Sequence, residues 1–256
     1  MSERPLSIVQ LVPSLDGGGV ERGTLEVSRE LVRRGHRSVV ISAGGRLAEQ
    51  LVADGGEHIA WPIGRKSHQS LGCMTRLRRW LRAQRIDVVH ARSRVPAWVG
   101  YLAWRSLPAP NRPRFITTMH GLNSVNWFSR IMTRGEVVIA VSEAVRSHIL
   151  ANYPEVPAER LRVIHRGVDP QAFPFGFKPS AAWRQDWERQ FPHLQGRRLL
   201  MLAGRITRLK GHHDFLTLLA ALVTAFGVHL EVAADAWMLS AEMTVNAFAK
   251  VFRKPF

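Results

Sequence analysis

The chain has 256 residues, a length that fits one large domain or two unequal ones. Hydrophobic residues make up 46% and charged residues 22%, and these globular values exclude the collagen-like, disordered and disulfide-scaffold classes. Lys and Arg number 36 against 20 Asp and Glu, a net charge of +16. Such a surplus favours a polyanionic partner, namely phosphorylated ligands, anionic lipid or nucleic acid, with a solvated basic surface as the alternative.

Short apolar runs alternate with helical patterns along the first part of the chain. Strands are predicted over residues 6–13, 37–42, 58–61, 87–91, 115–119 and 136–141. Helices are predicted over residues 20–34, 47–54, 74–85, 96–105 and 142–151, with Pro96 opening the fourth. Because apolar strands separated by helices are typical of a parallel sheet covered on both faces, the fold class is α/β.

The texture changes around residues 169–179, where proline, glycine and phenylalanine are concentrated. After this segment the pattern restarts, with strands over 198–203 and 228–233 and helices over 212–226 and 237–252. We therefore predict a complete domain over residues 1–170, a linker over 171–197 and a second domain over 198–256. Two strands make a smaller sheet than usual, so the second domain is expected to be partial.

The sequence indicates a cytoplasmic protein. Cys73 is the sole cysteine, so no intramolecular disulfide can form. The N-terminus lacks the apolar core of a signal peptide. The longest uncharged apolar stretch, residues 215–230, is shorter than the roughly 20 residues of a membrane span.

Two loops that each join a strand to a helix carry residues suited to phosphate. Gly17, Gly18 and Gly19 let the backbone approach a ligand, and the following helix start offers N–H groups; a flexible turn is the alternative. The spacing is neither a dinucleotide fingerprint nor a P-loop. Arg205 and Lys210 bracket the start of a later helix and could clamp a diphosphate, with ordinary surface charge as the alternative.

Two further features have both a functional and a structural interpretation. His120 ends a strand, where open α/β sheets place ligands, although a lone histidine is usually structural. Residues 76–86 place arginines beside an apolar stripe at helical spacing. This helix would either bind an anionic membrane, with Trp80 at the interface, or pack against the core with a solvated basic back. The remaining histidines show no metal-ligand spacing.

Motifs in a fixed order resemble the family 4 glycosyltransferases of the GT-B type. They are Gly-Gly-Gly-Val-Glu at 17–21, Asp-Val-Val-His at 87–90, Thr-Thr-Met-His-Gly at 117–121, Val-Ser-Glu at 141–143, Val-Ile-His-Arg-Gly-Val-Asp at 163–169, Gly-Arg at 204–205 and Lys-Gly at 210–211. Each motif is weak alone, but the ordered set is specific. Residues 92–98 further resemble members that build lipopolysaccharide cores.

The resemblance implies a retaining transfer of a sugar from a nucleotide-sugar donor to a lipid-linked or glycan acceptor. Two Rossmann-like domains are expected, the first for the acceptor and the second for the nucleotide. The expected site residues are His120 as the catalytic residue, Gly17, Gly18, Gly19, Arg205 and Lys210 at the donor phosphates, and Arg92, Arg94, Ser142 and Glu143 on the acceptor side. No metal or cofactor is expected, no nucleic acid is expected as a partner, and an anionic membrane surface is a candidate partner.

The sequence departs from the family at two places. Arg166 stands where many members have asparagine. The family's pair of glutamates eight positions apart has no match after Gly211, where the carboxylates are Asp214, Glu231, Asp235 and Glu242. The first departure weakens a functional role for the loop that carries Arg166. The second predicts a truncated or frame-shifted chain with impaired transfer. The alternative is a non-catalytic relic or binding subunit that keeps the acceptor-side domain.

Overall fold

A computed structural model describes residues 4–64, 69–196, 200, 202 and 210–226. The chain divides into two compact units, a first unit of residues 1–175 and a second unit of residues 176–256. The division lies inside the segment 171–197 that the sequence predicts as a linker.

Seven strands of the first unit form one parallel sheet in the order β3-β2-β1-β4-β5-β6-β7. Their bounds are β1 Ser7–Leu11, β2 Arg37–Ser42, β3 Glu57–Ala60, β4 Val88–Ala91, β5 Arg114–Met119, β6 Val137–Ala140 and β7 Leu161–Val163. The first three strands run outward from β1 on one side, and the chain then returns to place β4 on its other side. This reversal of direction between β1 and β4 is the place where α/β sheets bind ligands.

Helices connect the strands of the first unit, and the described part of the second unit contains helices as well. The first unit contains α1 Gly19–Arg33, α2 Ala48–Ala53, α3 Gln69–Ala83, α4 Arg94–Arg105 and α5 Glu143–Asn152, with short 3-10 turns at Ala109–Asn111, Ser129–Thr133 and Ala158–Arg160. The described part of the second unit contains α6 Ala181–Gln190, a 3-10 turn at Pro192–Leu194 and α7 His212–Phe226.

Two apolar clusters hold the helices to opposite faces of the sheet. Val39 and Ile41 of β2 belong to the larger cluster, which includes buried residues of α3, α4 and α5. Val40, between them, belongs to the smaller cluster with Leu25 of α1 and Leu51 of α2. Because successive side chains of a strand point to opposite faces, this alternation places the two clusters on different sides of the sheet. The sheet is therefore covered on both faces, as predicted.

The six strands predicted in the first 141 residues are confirmed, and each end agrees within two residues. The structure adds β7, which the sequence did not predict, and α6 inside the segment predicted as a linker. Helix α4 begins at Arg94, so Pro96 lies in its first turn and does not open it. The helix over 212–226 is confirmed, whereas the predictions over 198–203, 228–233 and 237–252 fall on or include residues outside the described ranges.

The apolar stripe of α3 packs in the core. Leu77 and Leu81 are buried, and Trp80 meets Trp61 edge to face with ring centroids 6.4 Å apart. The arginines of residues 76–85 are exposed: Arg76, Arg78, Arg79, Arg82 and Arg85. The structure thus favours the packing helix with a solvated basic back over the alternative that places Trp80 in a membrane interface. Within the described ranges, no helix has both the length and the apolar character needed to span a bilayer.

Candidate functional site

The carboxyl ends of β1, β4 and β5 bring the principal predicted residues to one edge of the sheet. The glycine loop follows β1, Arg92 directly follows β4, and His120 directly follows β5. Strands β1 and β4 are neighbours, as are β4 and β5. Three segments far apart in sequence therefore meet at the reversal point of the sheet, where α/β folds place ligands.

The glycine loop is held by side chains of its own neighbourhood. Gly17 has φ of 141°, a conformation that favours glycine. The Gly17 N–H donates to Glu21 Oε2 at 3.0 Å, and the Gly18 N–H donates to the same oxygen. Arg46 donates from Nε to the Asp16 carbonyl. The helix start thus already carries a carboxylate, a contact that the glycine pattern alone did not indicate.

Arg92 is a buried cation between β1 and α1. Its side chain belongs to a residue only 6% exposed, and Nη1 donates to Oε1 of Gln10 on β1 at 2.8 Å. Gln10, fully buried, donates in turn to the Thr24 carbonyl of α1 at 3.1 Å. Burial lowers the pKa of Arg92 to about 10, and the nearby charge of Arg166 adds to this effect. The guanidinium therefore remains charged at neutral pH.

Arg166 reaches the same place from the loop that follows β7. Its Nη1 donates to the carbonyl of Gly19, and its Nη2 lies 3.6 Å from Glu26 Oε2. A Cβ atom placed on Gly23 would lie 2.8 Å from Arg166 Nη2 and 3.2 Å from Arg92 Nη2. Both guanidiniums therefore lie against one point on α1. We call Arg92 and Arg166 the guanidinium pair.

His120 is a neutral imidazole beside the guanidinium pair. Burial, followed by the charges of Arg92 and Arg166, lowers its pKa to about 3. Among the described residues, neither of its ring nitrogens has a hydrogen-bond partner. Neighbouring His90, which is more deeply buried, shares a hydrogen bond of 2.7 Å with the Thr118 hydroxyl. A neutral, unpartnered imidazole can donate one hydrogen bond and accept another from a ligand hydroxyl.

The other predicted acceptor-side residues have structural partners. Arg94 donates to the Ser129 hydroxyl at 3.2 Å and lies 5.8 Å from the centroid of the Phe128 ring. Ser142 is the N-cap of α5, and its hydroxyl accepts from the Val145 N–H at 3.2 Å. Glu143 lies in the first turn of that helix, where a carboxylate is favourable. The structure does not bring these residues into contact with His120.

The predicted diphosphate clamp lies in the second unit. Lys210 is exposed just before α7, and Gly211 after it has φ of 71°. Arg205 lies outside the described residues. In the part of the chain that the structure describes, no group of three His, Cys, Asp or Glu side chains is arranged to hold a metal ion. Metal-free chemistry stays a prediction.

Sequence reasoning missed Gln10, Gly23 and Glu26. The sequence contains a recognisable signal for two of these residues, Gln10 and Gly23. Gln10 is a polar residue inside an apolar strand, and Gly23 follows Gly19 by four positions, which places both glycines on one face of α1. Nothing in the sequence shows that Arg166 would cover that face.

The fold and the site define a GT-B type α/β protein. A model of Glycosyltransferase Family 4 matches residues 17–172, and the chain belongs to this family. The matched segment contains the glycine loop, the guanidinium pair and His120.

Individual relatives are consistent with the family. The chain is 24% identical over 221 residues to spore coat protein SA of Bacillus subtilis, covering 83% of this chain and 54% of that protein. It is similar to a crystal structure of a glycosyltransferase from Rickettsia africae, with 31% identity, a TM-score of 0.71 and coverage of 89% of this chain and 59% of that one. It thus spans a little over half the length of both relatives.

A more distant structure shares the fold. The Anabaena protein HepE, solved in complex with UDP and glucose, is 18% identical with a TM-score of 0.59, covering 87% of this chain and 67% of that one.

Proposed function

We propose that the chain is a retaining glycosyltransferase that moves a sugar from a nucleotide-sugar donor to a lipid-linked or lipopolysaccharide acceptor. The observation that carries the proposal is the position of His120. It is a partly buried, neutral imidazole at the reversal point of the sheet, and its ring nitrogens are buried without a hydrogen-bond partner among the described residues. It lies inside the segment that matches the family model. The 31% identity to a glycosyltransferase supports the same class of reaction.

The chemistry assigned to each group follows from its charge state. A neutral His120 can hold a hydroxyl of the transferring sugar without adding charge beside the anomeric centre. A departing nucleoside diphosphate develops negative charge, and fixed cations stabilise that charge in the transition state. We assign this role to Arg205 and Lys210 of the second unit. Arg92 belongs to the first unit, where the acceptor would bind, and we assign the glycine loop of that unit to the donor phosphates.

The proposal is tested by release of nucleoside diphosphate from a panel of nucleotide sugars. His120→Ala should lower the rate at least about 100-fold, the loss typical of one key transition-state contact. His36→Ala is the matched control because His36 precedes β2 at the opposite, amino-terminal edge of the sheet. Equal rates for His120→Ala and the unmodified chain, with turnover present, would exclude His120 as the catalytic residue.

The missing glutamate pair bears on how fast this chain can work. Because positioning of donor and acceptor supplies a large part of catalysis, we propose that the 256-residue chain transfers sugar slowly. Grafting the second domain of the Rickettsia africae glycosyltransferase after Gly211 should raise the rate at least about 100-fold. A graft that folds and binds nucleotide yet gives no transfer would favour the alternative of a non-catalytic binding subunit.

We also propose a cytoplasmic location with peripheral attachment to the inner face of a membrane. The support is electrostatic: the exposed arginines of α3 present cations while the apolar side of the helix is buried in the core. Attachment of this kind would depend on anionic headgroups and would weaken with salt.

A further inference from the structure

The guanidinium pair carries more positive charge than its surroundings compensate. The two Nη2 atoms lie 2.8 Å and 3.2 Å from one point on α1, so they are at most about 6 Å apart, a range in which like charges disfavour each other. Glu26 is the nearby carboxylate, and it lies 3.6 Å from Arg166, beyond ordinary hydrogen-bond distance. With His120 neutral, two positive charges face one negative charge.

Arg92 has donors that the described residues leave unused. A guanidinium carries five N–H donors, and burial makes each unsatisfied donor unfavourable. Nη1 of Arg92 is satisfied by Gln10, whereas its Nε has no partner among the described residues. Both nitrogens of His120 are in the same condition. Two N–H donors without partners, one on Arg92 and one on the neutral His120 ring, therefore lie near the guanidinium pair.

Helix α1 is shaped to admit both guanidiniums. Gly23 and Gly19 lie on one face of the helix, and a Cβ atom at Gly19 would lie 3.1 Å from Arg166 Nη1. The Arg166 side chain is 36% exposed, so the cluster can be reached from solvent on the Arg166 side. Bidentate guanidiniums and buried N–H donors are the groups that recognise carboxylate and phosphate oxygens.

We propose that Arg92 and Arg166 form an oxyanion site that takes one phosphate or carboxylate group. A bound oxyanion would neutralise the excess charge and accept from the unused Arg92 donor. The oxyanion could come from a charged group on the acceptor or from the diphosphate of the donor. Assigning it to either source rests on the proposed function; the site itself does not.

Calorimetric titration of the full chain with inorganic phosphate tests the site without any turnover. Arg166→Asn, which introduces the residue common in the family, and Arg92→Lys, which keeps charge but removes the fork, should each weaken binding at least about tenfold. Arg162→Asn is the matched control, because Arg162 is an exposed arginine on β7 that donates only to carbonyls beside it in sequence. It should leave phosphate affinity unchanged.

Two results would overturn the site. The first is unchanged phosphate affinity in folded Arg166→Asn. Arg166 would then have only a structural role, through its hydrogen bond to the Gly19 carbonyl of α1. The second is an equal loss in Arg162→Asn, which would reduce the effect to general surface charge. A second readout is the ring resonance of His120, identified by its loss in His120→Ala. Phosphate should shift this resonance in the unmodified chain and not in Arg166→Asn.

Calorimetric titration with a sugar phosphate and with a nucleoside diphosphate distinguishes the two sources of the oxyanion. If a sugar phosphate requires Arg166 while a nucleoside diphosphate requires Arg205, the oxyanion belongs to the acceptor. If the nucleoside diphosphate loses affinity in Arg166→Asn as strongly as inorganic phosphate does, the oxyanion belongs to the donor. Both results support the site, and neither depends on whether the chain turns over.

Discussion

Arg166 donates a hydrogen bond to the carbonyl of Gly19, a residue 147 positions earlier in the chain. This contact ties the loop after the last strand of the sheet to the first turn of α1. It also explains why α1 contains glycine at positions where a helix prefers other residues: side chains at Gly19 and Gly23 would meet the Arg166 guanidinium. The glycines of the first helix therefore make room for the arginine side chain that contacts it.

Gly23→Ala should separate stability from binding. Alanine in a helix interior is more favourable than glycine by about 0.5–1 kcal/mol. Its Cβ meets the flexible end of Arg166 at 2.8 Å and, less closely, Arg92 Nη2 at 3.2 Å. The free energy of unfolding should therefore stay the same or rise, while phosphate affinity falls because Arg166 is displaced. Urea denaturation and calorimetry measure the two effects.

The matched control for this change is Gly72→Ala on α3. Among the described residues, and apart from the helix's own backbone and the two neighbours in sequence, no atom lies within 4 Å of a Cβ at Gly72. This variant should therefore gain helix stability and leave phosphate binding unchanged. Loss of phosphate affinity in both variants would contradict the explanation.

Acid should destabilise the first unit through its buried histidines. The pKa of His120 is about 3 in the folded chain and 6.5 ordinarily, so between these values the unfolded chain binds a proton that the folded chain does not. The free energy of unfolding therefore falls as pH drops below 6.5. His90, whose pKa burial also lowers, acts in the same direction.

The measurement compares urea unfolding at pH 7.5 and pH 5.5. The contribution of one such histidine over this interval is about 1 kcal/mol, and His120→Gln should remove it. His193→Gln, a change at an exposed histidine of the second unit, should leave the pH dependence as it is. An identical pH dependence in His120→Gln and the unmodified chain would show that His120 is not held neutral.

The sheet was predictable because its strands are local apolar runs with helices between them. Strand β7 was not, since it has three residues and its middle one, Arg162, is exposed. Helix α6 was missed because it buries no residue, although its N-cap, Ser180, is a recognisable start signal. Trp183 and Trp187, four positions apart, stack with ring centroids 5.4 Å apart and were a second signal that the prediction of a linker passed over.

The site divides in the same way. That His120 and Arg92 lie at strand ends was readable from sequence, because parallel strands end at a common edge. The capping of Gly17 and Gly18 by Glu21 was also readable, as a carboxylate three residues into a helix is a capping signal. The partnership of Arg92 with Arg166 was not, since it depends on where the loop after β7 crosses α1.

Ser142 should contribute to stability and not to acceptor binding. Its hydroxyl caps α5 by accepting from the Val145 N–H, so Ser142→Ala should lower the free energy of unfolding by about 1 kcal/mol. Ser142→Asp should restore most of that loss because aspartate caps equally well. Denaturant unfolding gives both values. A rise in acceptor KM for Ser142→Asp, in a chain of restored stability, would instead place Ser142 on the acceptor side.

The exposed, arginine-rich face of α3 should bind anionic vesicles. Replacing three of its exposed arginines by glutamine should weaken binding about fivefold per residue, since each cation near the surface contributes about 1 kcal/mol. The three are Arg78, Arg79 and Arg82. Co-sedimentation with phosphatidylserine vesicles at two salt concentrations measures the loss. The control removes three exposed arginines elsewhere, namely Arg160, Arg162 and Arg184. Equal losses in both triple variants would contradict a specific role for α3.

Arg205 and Lys210 should make a nucleoside diphosphate bind more tightly than the monophosphate. Two cations in the segment that precedes α7 can each hold a different phosphate, so a second phosphate adds a charge-assisted contact. We expect a difference of about tenfold or more in affinity, which Arg205→Ala should abolish. Arg184→Ala, a change at an exposed arginine of α6, should keep the difference. Calorimetry with both nucleotides measures it, and equal affinities in the unmodified chain would contradict the clamp. Because phosphate binding at Arg166 is measured separately, a failed clamp would leave the oxyanion site standing.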